Sequence, residues 1–260
     1  MTRALILAAG QGTRLRPLTD DKPKCLVTLL GRSLLQRQVD TLKESGISDI
    51  HIATGYRADQ IEALGYATSI NLRFAETNMV ATLFSALAFI QQEGDLIIAY
   101  GDIVYQKNNL QALLSCNDEI ALMVDARWRD LWQLRLENPL EDAETLMMDR
   151  NGYITELGKK PLGYDQIEGQ YTGLIKIRSD KLEELVAFYN LLDHSAIYDG
   201  NDFDNMYMTS FLQLLIDSGW NAKAVLVNNG WLEIDSVEDL SQYESLANEG
   251  KLDQFYKVMN

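Results

Sequence analysis

The sequence predicts an α/β fold: a single Rossmann-like domain with a mostly parallel (mixed) central sheet flanked by helices, plus a β-hairpin and helix elaboration in its second half. Three observations predict it. A short apolar run, Arg3 to Ala8, stops at a glycine-rich turn, as a buried parallel strand does. Runs of that kind then alternate with helix-periodic segments through the first 125 residues. Beyond them the pattern changes to a hairpin signal followed by two longer helices and two more strands.

Each element has its own signal. Ser33 caps a helix that carries Leu35, Val39 and Leu42 on one face and ends at Gly46. Ile47 to Ala53 reads as the second strand, Ala58 to Leu64 as a short helix, and Leu72 to Ala75 as the third strand. Val80 to Gln92 reads as one helix, with Val80, Leu83, Phe84, Leu87 and Ile90 at helical spacing. Asp95 to Tyr100 and Ile120 to Val124 are the fourth and fifth strands. Leu146 to Asp149 and Ile154 to Leu157 flank Asn151-Gly152, a pair that favours a tight turn, so they form a hairpin. Tyr171 to Ile177 is a strand, Ser179 to Leu192 and Asp204 to Ser218 are helices, and Ala222 to Val227 and Trp231 to Ile234 are strands. Ser236 caps the last helix, with Asp239 at its third position in a box-like arrangement. Ligands of such sheets bind beyond the carboxyl ends of the strands. The loops after Ala8, Ala53, Ala75 and Tyr100 are therefore expected to face one site.

Composition narrows the partners. The formal net charge of the 260 residues is −15, the opposite of a nucleic-acid binder. No apolar run approaches the roughly 18 residues needed to cross a bilayer, and Ala4 to Ala9 is too short for a signal-peptide core. The two cysteines, Cys25 and Cys116, make no disulfide framework. A soluble cytoplasmic protein without nucleic-acid partner or membrane insertion is expected, with homodimerisation left open. In so acidic a chain a phosphate site must be a local basic island, which makes clustered lysines and arginines informative.

One such cluster follows the first strand. Gly10 and Gly12 remove side chains where backbone N–H groups could approach a triphosphate, and Arg14 adds a cation. Lys22-Pro23-Lys24 comes shortly after. Taken alone this is also a glycine turn followed by exposed lysines. It is not a Walker A loop, because the Gly-Lys-Ser/Thr ending is missing, and the third glycine of a dinucleotide fingerprint is missing too. As a whole, ILAAGQGTRLRPLTDDKPK strongly resembles the N-terminal signature of the nucleotide-sugar pyrophosphorylase and cytidylyltransferase superfamily. The resemblance continues through most of the chain, in TGY at Thr54 to Tyr56, YGD at Tyr100 to Asp102, ELGKKP at Glu156 to Pro161, and GWLEIDSVEDL at Gly230 to Leu240. It is closest to the branch of phosphocholine and phosphonate cytidylyltransferases.

That resemblance implies an Mg²⁺-dependent nucleotidyltransferase with a nucleotide-binding half (1–125) and an acceptor-binding half (126–260). Leu7, Ala8, Ala9, Gly10, Gly12, Thr13, Gly55 and Gly101 would line the nucleotide, with Glu76, Thr77 and Asn78 flanking its base. Arg14 would meet the β and γ phosphates, and Lys24 the α-phosphate or the acceptor phosphate. Asp102 and Asp235 would share the Mg²⁺. Alone, each aspartate also reads structurally, Asp102 as a strand-ending turn and Asp235 as a helix N-terminal acid. The chemistry needs carboxylates, a metal and cations, and no Ser, Cys or His nucleophile. His51 and His194 read as structural, and Met79 as core.

For the acceptor, Lys160 matches the family's phosphate-holding lysine. Lys159 stands where sugar enzymes carry a glutamate, and a lysine cannot accept hydrogen bonds from sugar hydroxyls. Trp128, Trp132 and Trp231 could cage a quaternary ammonium, but Arg127, Arg129 and Arg135 surround the first two in sequence and would repel one. A zwitterionic acceptor whose own anion is held by Arg129 is favoured, with Trp128, Tyr171 and Glu233 as further contacts. The expected reaction is transfer of CMP from CTP to 2-aminoethylphosphonate, a phosphoglutamine-like compound or phosphocholine, with release of pyrophosphate, for decoration of surface polysaccharide or lipid. A sugar-1-phosphate nucleotidyltransferase and a non-catalytic nucleotide-binding regulator are the alternatives.

Overall fold

The computed structural model describes residues 1–258. The chain opens with β1 (Thr2–Ala8), a small ladder of β2 (Thr28–Leu29) and β3 (Arg32–Ser33), and α1 (Leu34–Glu44). The Ser33 hydroxyl accepts from the Gln36 N–H at 3.1 Å and so starts α1. Then come β4 (Ile50–Thr54), α2 (Ala58–Glu62), β5 (Ala67–Ile70), α3 (Met79–Ser85), α4 (Leu87–Ile90) and β6 (Asp95–Tyr100). β7 (Ile103–Tyr105), α5 (Lys107–Ser115), β8 (Ile120–Asp125) and α6 (Trp128–Arg135) complete the first part. The remainder is the hairpin β9 (Leu146–Met148) and β10 (Ile154–Leu157), β11 (Gln170–Ile177), α7 (Leu182–Leu191), α8 (Met208–Asp217), β12 (Ala222–Val227), β13 (Trp231–Glu233) and α9 (Val237–Asn248).

Seven strands form the central sheet in the order β12-β8-β11-β6-β1-β4-β5. Six run parallel, and β11 runs against both of its neighbours. Alternation along the strands feeds two cores. Ala4, Ile6 and Ala8 of β1 pack with α1, α5, α6 and α9 on one face, and Leu5 and Leu7 pack with α3, α4, α7 and α8 on the other. No helix of the described residues is long and apolar enough to cross a membrane.

The third strand lies at Ala67–Ile70 rather than at 72–75. It is an edge strand exposed or half-exposed along its length, so it carries no apolar alternation, while Leu72 is 86% exposed in a turn. The helix expected over 80–92 breaks at Ala86 into α3 and α4. The helices expected from Ser179 and Asp204 start with 3-10 turns, Ser179–Lys181 and Phe203–Asn205, and become α-helical only at Leu182 and Met208. β7, α5 and α6 are short elements that the periodicity did not reveal.

Candidate active site

β1 continues to β4 on one side, while β6 lies on its other side, so the carboxyl ends of β1 and β6 frame the switch point of the sheet. A cavity of about 220 Å³ lies there, lined by Leu7, Ala8, Gly10, Gly12, Lys24, Cys25, Met79, Tyr100, Gly101 and Asp102. Gly101 is required by close approach: its N–H donates to the Leu7 carbonyl at 2.9 Å, and an added Cβ would lie 2.7 Å from that oxygen. The Tyr56 N–H donates to the Ala9 carbonyl at 3.0 Å, holding the loop after β4, with Gly55, against the glycine loop. Gly12 has φ +73° and opens the 3-10 turn Thr13–Leu15.

Asp102 follows β6, and the chain's last strand returns to it. β13 pairs antiparallel with β7, Glu233 opposite Ile103, and the Ile234 N–H donates to the Asp102 carbonyl at 3.0 Å. This ribbon brings carboxylate oxygens of Asp102, Glu233 and Asp235 within 4.8 Å of one another. Three cations surround them. The Lys24 ammonium donates to Asp102 Oδ2 at 2.7 Å and also to Asp235. Arg14 pairs with Asp235 at 2.9 Å, and Arg135, buried, with Glu233 at 2.7 Å and Asp239 at 2.9 Å. Asp239 completes the cap of α9, accepting from the Asp235 and Ser236 N–H groups, and so fixes the backbone that carries Asp235.

The environment divides these acids. Burial pushes the Glu233 carboxyl above its ordinary value, helped by Asp235 and opposed by Arg135. Burial also acts to raise Asp235, but Lys24, Arg14 and Arg135 outweigh it and hold that carboxyl below its ordinary value. Burial would lower Lys24, yet Asp102 and Asp235 raise it, so it stays a cation. Oδ1 of Asp102 is buried without a hydrogen-bond partner. Convergent carboxylate oxygens with a lone pair to spare are what a hard divalent cation such as Mg²⁺ requires, and the residues fit it.

A second cavity, of about 190 Å³, opens on two of these carboxylates, Glu233 and Asp235. Its walls include the rings of Tyr100, Trp132, Tyr171, Tyr207 and Trp231 and the acids Asp142, Glu144, Glu233 and Asp235; Met79 and Tyr100 line both cavities. A bulge shapes it. The register of β11 against β8 shifts between Tyr171 and Ile175, and Gly173 takes φ +84°, where a Cβ would lie 2.7 Å from the Tyr100 ring. Both indoles are anchored by acids: Trp132 Nε1 donates to Asp142 at 3.0 Å and Trp231 Nε1 to the buried Asp125 at 2.9 Å.

Residues 4–169 match the MobA-like NTP transferase domain family. The chain belongs to that family. It is 47% identical to the CTP:phosphoglutamine cytidylyltransferase of Campylobacter jejuni over 248 residues, 91% of this chain and 97% of that one. To the choline-phosphate cytidylyltransferase of Streptococcus pneumoniae it is 40% identical over 91 residues, 35% of this chain and 40% of that one. The solved structure of the inositol-1-phosphate CTP transferase from T. maritima shares the fold, with TM-score 0.76 over 99% of this chain and 98% of that one at 21% identity. The protein is a nucleotidyltransferase.

In this nucleotidyltransferase several residues singled out in the sequence lie elsewhere than expected. Trp128 is buried behind the second cavity, edge-on to Trp132 at 5.7 Å, and supports that ring instead of lining the wall. Arg129 is exposed, its guanidinium 3.9 Å from the centre of the Tyr164 ring. Arg127 pairs with Asp130 and Arg135 with Glu233 and Asp239, so no arginine is among the lining residues and the expected repulsion of a cation is absent. Lys159 pairs with Glu156 at 3.1 Å, and Lys160 donates to the Leu140 and Glu141 carbonyls at 2.6 Å each; neither lines a cavity.

Glu76, Thr77 and Asn78 brace a loop in place of lining the glycine-loop cavity. Glu76 is exposed beside Arg73, Thr77 bonds to Asn71 and Arg73, and the Asn78 side chain caps α3. Met79, read as core, is a wall of both cavities. His51 bonds to Ser69 and stacks on Phe89, and His194 stacks on Phe203, as structural residues do. Asp142, Glu144 and Tyr207 were not legible as site residues, since nothing local distinguishes an acid or tyrosine that long-range packing turns into a cavity.

Proposed function

We propose that this nucleotidyltransferase uses CTP and moves CMP onto a small phosphorylated acceptor, releasing pyrophosphate, with Mg²⁺ held by Asp102, Glu233 and Asp235. One observation carries the reading: the three carboxylates stand where the glycine-loop cavity and the aromatic cavity meet. A triphosphate in the first and an acceptor phosphate in the second would bring two anions to one point. There an acceptor phosphate oxygen attacks the α-phosphorus, the bond from that phosphorus to the bridging oxygen breaks, and pyrophosphate leaves with its electrons.

Mg²⁺ held by these carboxylates would supply Lewis acidity and neutralise charge on the phosphates. The protein's own residues do the rest by position. Lys24 and Arg14 offer cations beside the carboxylates, and Gly10, Gly12 and Gly101 leave the backbone accessible. Tyr100 and Met79 line both cavities and would stand between the two ligands. CTP and the phosphorylated acceptor are supported by the activities named for the C. jejuni and S. pneumoniae relatives.

The test is pyrophosphate release across four nucleoside triphosphates and a panel containing phosphoglutamine, phosphocholine, 2-aminoethylphosphonate, inositol-1-phosphate and glucose-1-phosphate, with and without Mg²⁺. CTP with a phosphorylated amine is expected to be fastest and to need the metal. Preference for UTP or dTTP with glucose-1-phosphate would overturn the reading.

A further inference from the structure

We infer that the acceptor taken by the second cavity carries a positively charged nitrogen, and that Glu144 is the residue that selects it. The inference rests on the reading of that cavity as the acceptor site. It starts from an account of the carboxylates on the wall. Asp235 is paired with Lys24 and Arg14, Glu233 with Arg135, and Asp142 with the Trp132 indole N–H. The Glu144 carboxylate makes no hydrogen bond or ion pair with any described residue.

Its position is nevertheless fixed. The Glu144 N–H donates to Gln170 Oε1 at 3.0 Å, and the Glu144 carbonyl accepts from Gln170 Nε2 at 2.6 Å. A half-buried carboxylate without a partner is costly to keep, and no lysine or arginine lines this cavity to balance it. Around it stand the rings of Tyr100, Trp132, Tyr171 and Trp231. Aromatic faces attract cations, so rings and acid select the same ligand charge. The Tyr171 hydroxyl oxygen is buried and unpartnered, and can accept from an N–H.

The same wall disfavours the alternatives. A second anion on the acceptor would face four carboxylates there and no lysine or arginine, and Arg129, the one residue expected to hold it, covers Tyr164 instead. A neutral hydroxylated acceptor would leave the Glu144 charge uncompensated in a closed site. An ammonium group completes the charge balance of the wall while the phosphate end faces Asp102 and Asp235.

The experiment compares three acceptors of similar size with CTP: phosphoethanolamine and phosphocholine, which carry a cationic nitrogen, and glycerol-1-phosphate, whose alcohol end is uncharged. The wild type is expected to favour the two acceptors with a cationic nitrogen in kcat/KM by about tenfold or more, the effect of one charged contact. Glu144→Gln should bring the ratio near one, and Glu144→Asp should recover part of it. Thermal unfolding and calorimetric CTP binding report whether the variants are folded. An independent arm titrates phosphoethanolamine into the protein and follows tryptophan fluorescence, which needs no turnover. Loss of that binding in Glu144→Gln supports the inference even if CTP transfer fails, in which case only the proposed reaction is wrong. A wild type indifferent to acceptor charge, or Glu144→Gln that binds phosphoethanolamine as the wild type does, overturns it.

Discussion

The ammonium of Lys24 donates to Oδ2 of Asp102 at 2.7 Å and reaches Asp235 at the same time. It thus holds together two carboxylates that would otherwise repel, using the oxygens that a metal ion needs. Lysine and the proposed metal ion would therefore compete for the same ligands. Lys24→Met should strengthen Mn²⁺ binding to the nucleotide-free protein by about tenfold, or about 1.4 kcal/mol. The same change should lower turnover by about 10² or more, because the cation also serves the reacting phosphates. Electron paramagnetic resonance titration reads the first effect and pyrophosphate release the second. Weaker Mn²⁺ binding in the variant would show that the lysine supports the metal site instead of competing for it.

Asp102→Asn and Asp235→Asn keep the shape and remove a ligand charge. Each should weaken Mn²⁺ binding and reduce kcat by about 10² or more. Near-wild-type turnover of both at saturating Mg²⁺ would end the assignment of these residues to the metal.

The two loop glycines should behave differently. At Gly12, φ +73° already strains any L-residue, and an added Cβ would lie 2.9 Å from Cβ and Cγ of Lys24. Gly12→Ala should cost about 1–2 kcal/mol of stability from the backbone alone and weaken CTP binding by pushing Lys24 away. At Gly10 an added Cβ meets nothing within 4 Å, so Gly10→Ala should melt as the wild type does. Any loss of CTP binding by Gly10→Ala then reports the ligand's own presence at the loop. Identical melting temperatures for the two variants would contradict this account.

Asp125 is fully buried and accepts from the Arg127 and Asn229 N–H groups and from the Trp231 indole. Asp125→Ala would orphan three donors around one hole. A loss of about 3 kcal/mol or more is expected in urea unfolding, with a raised acceptor KM because Trp231 loses its anchor. A loss below about 1 kcal/mol would mean that water replaces the carboxylate.

The pH dependence follows from Glu144, which burial, with Asp142 and Asp199, pushes from 4.5 up to about 7. Glu233 and Asp235 share the cavity wall. A carboxyl whose pKa is raised by folding holds its proton more tightly in the folded state. Its stabilising contribution is full below about 4.5 and lost as pH rises through about 7. Acceptor binding has the opposite sign, since only the carboxylate attracts an ammonium. The KM for phosphoethanolamine should fall as pH rises through about 7, and Glu144→Gln should flatten the profile. A profile unchanged by that substitution would assign the titration to another group.

Local chemistry made much of this protein legible in its sequence. Apolar runs ending in glycine turns marked the parallel strands, because a strand buried on both faces admits nothing else. The glycine turn at Gly10 and Gly12, the strand end at Asp102 and the helix cap after Asp235 were visible because they depend on near neighbours, but only the family resemblance marked these residues as a site. Edge strand β5, with no apolar alternation, was misplaced for the same reason. Only the tertiary structure decided where the free charges and rings go. Lys160 and Arg129 looked like ligands for the acceptor but spend their charge on carbonyls and a tyrosine ring. Met79, Tyr100, Trp132 and Glu144 become one wall through the antiparallel strand β11 and its bulge at Gly173. An exposed side chain finds its partner by long-range packing, and hydrophobic periodicity carries no record of that choice.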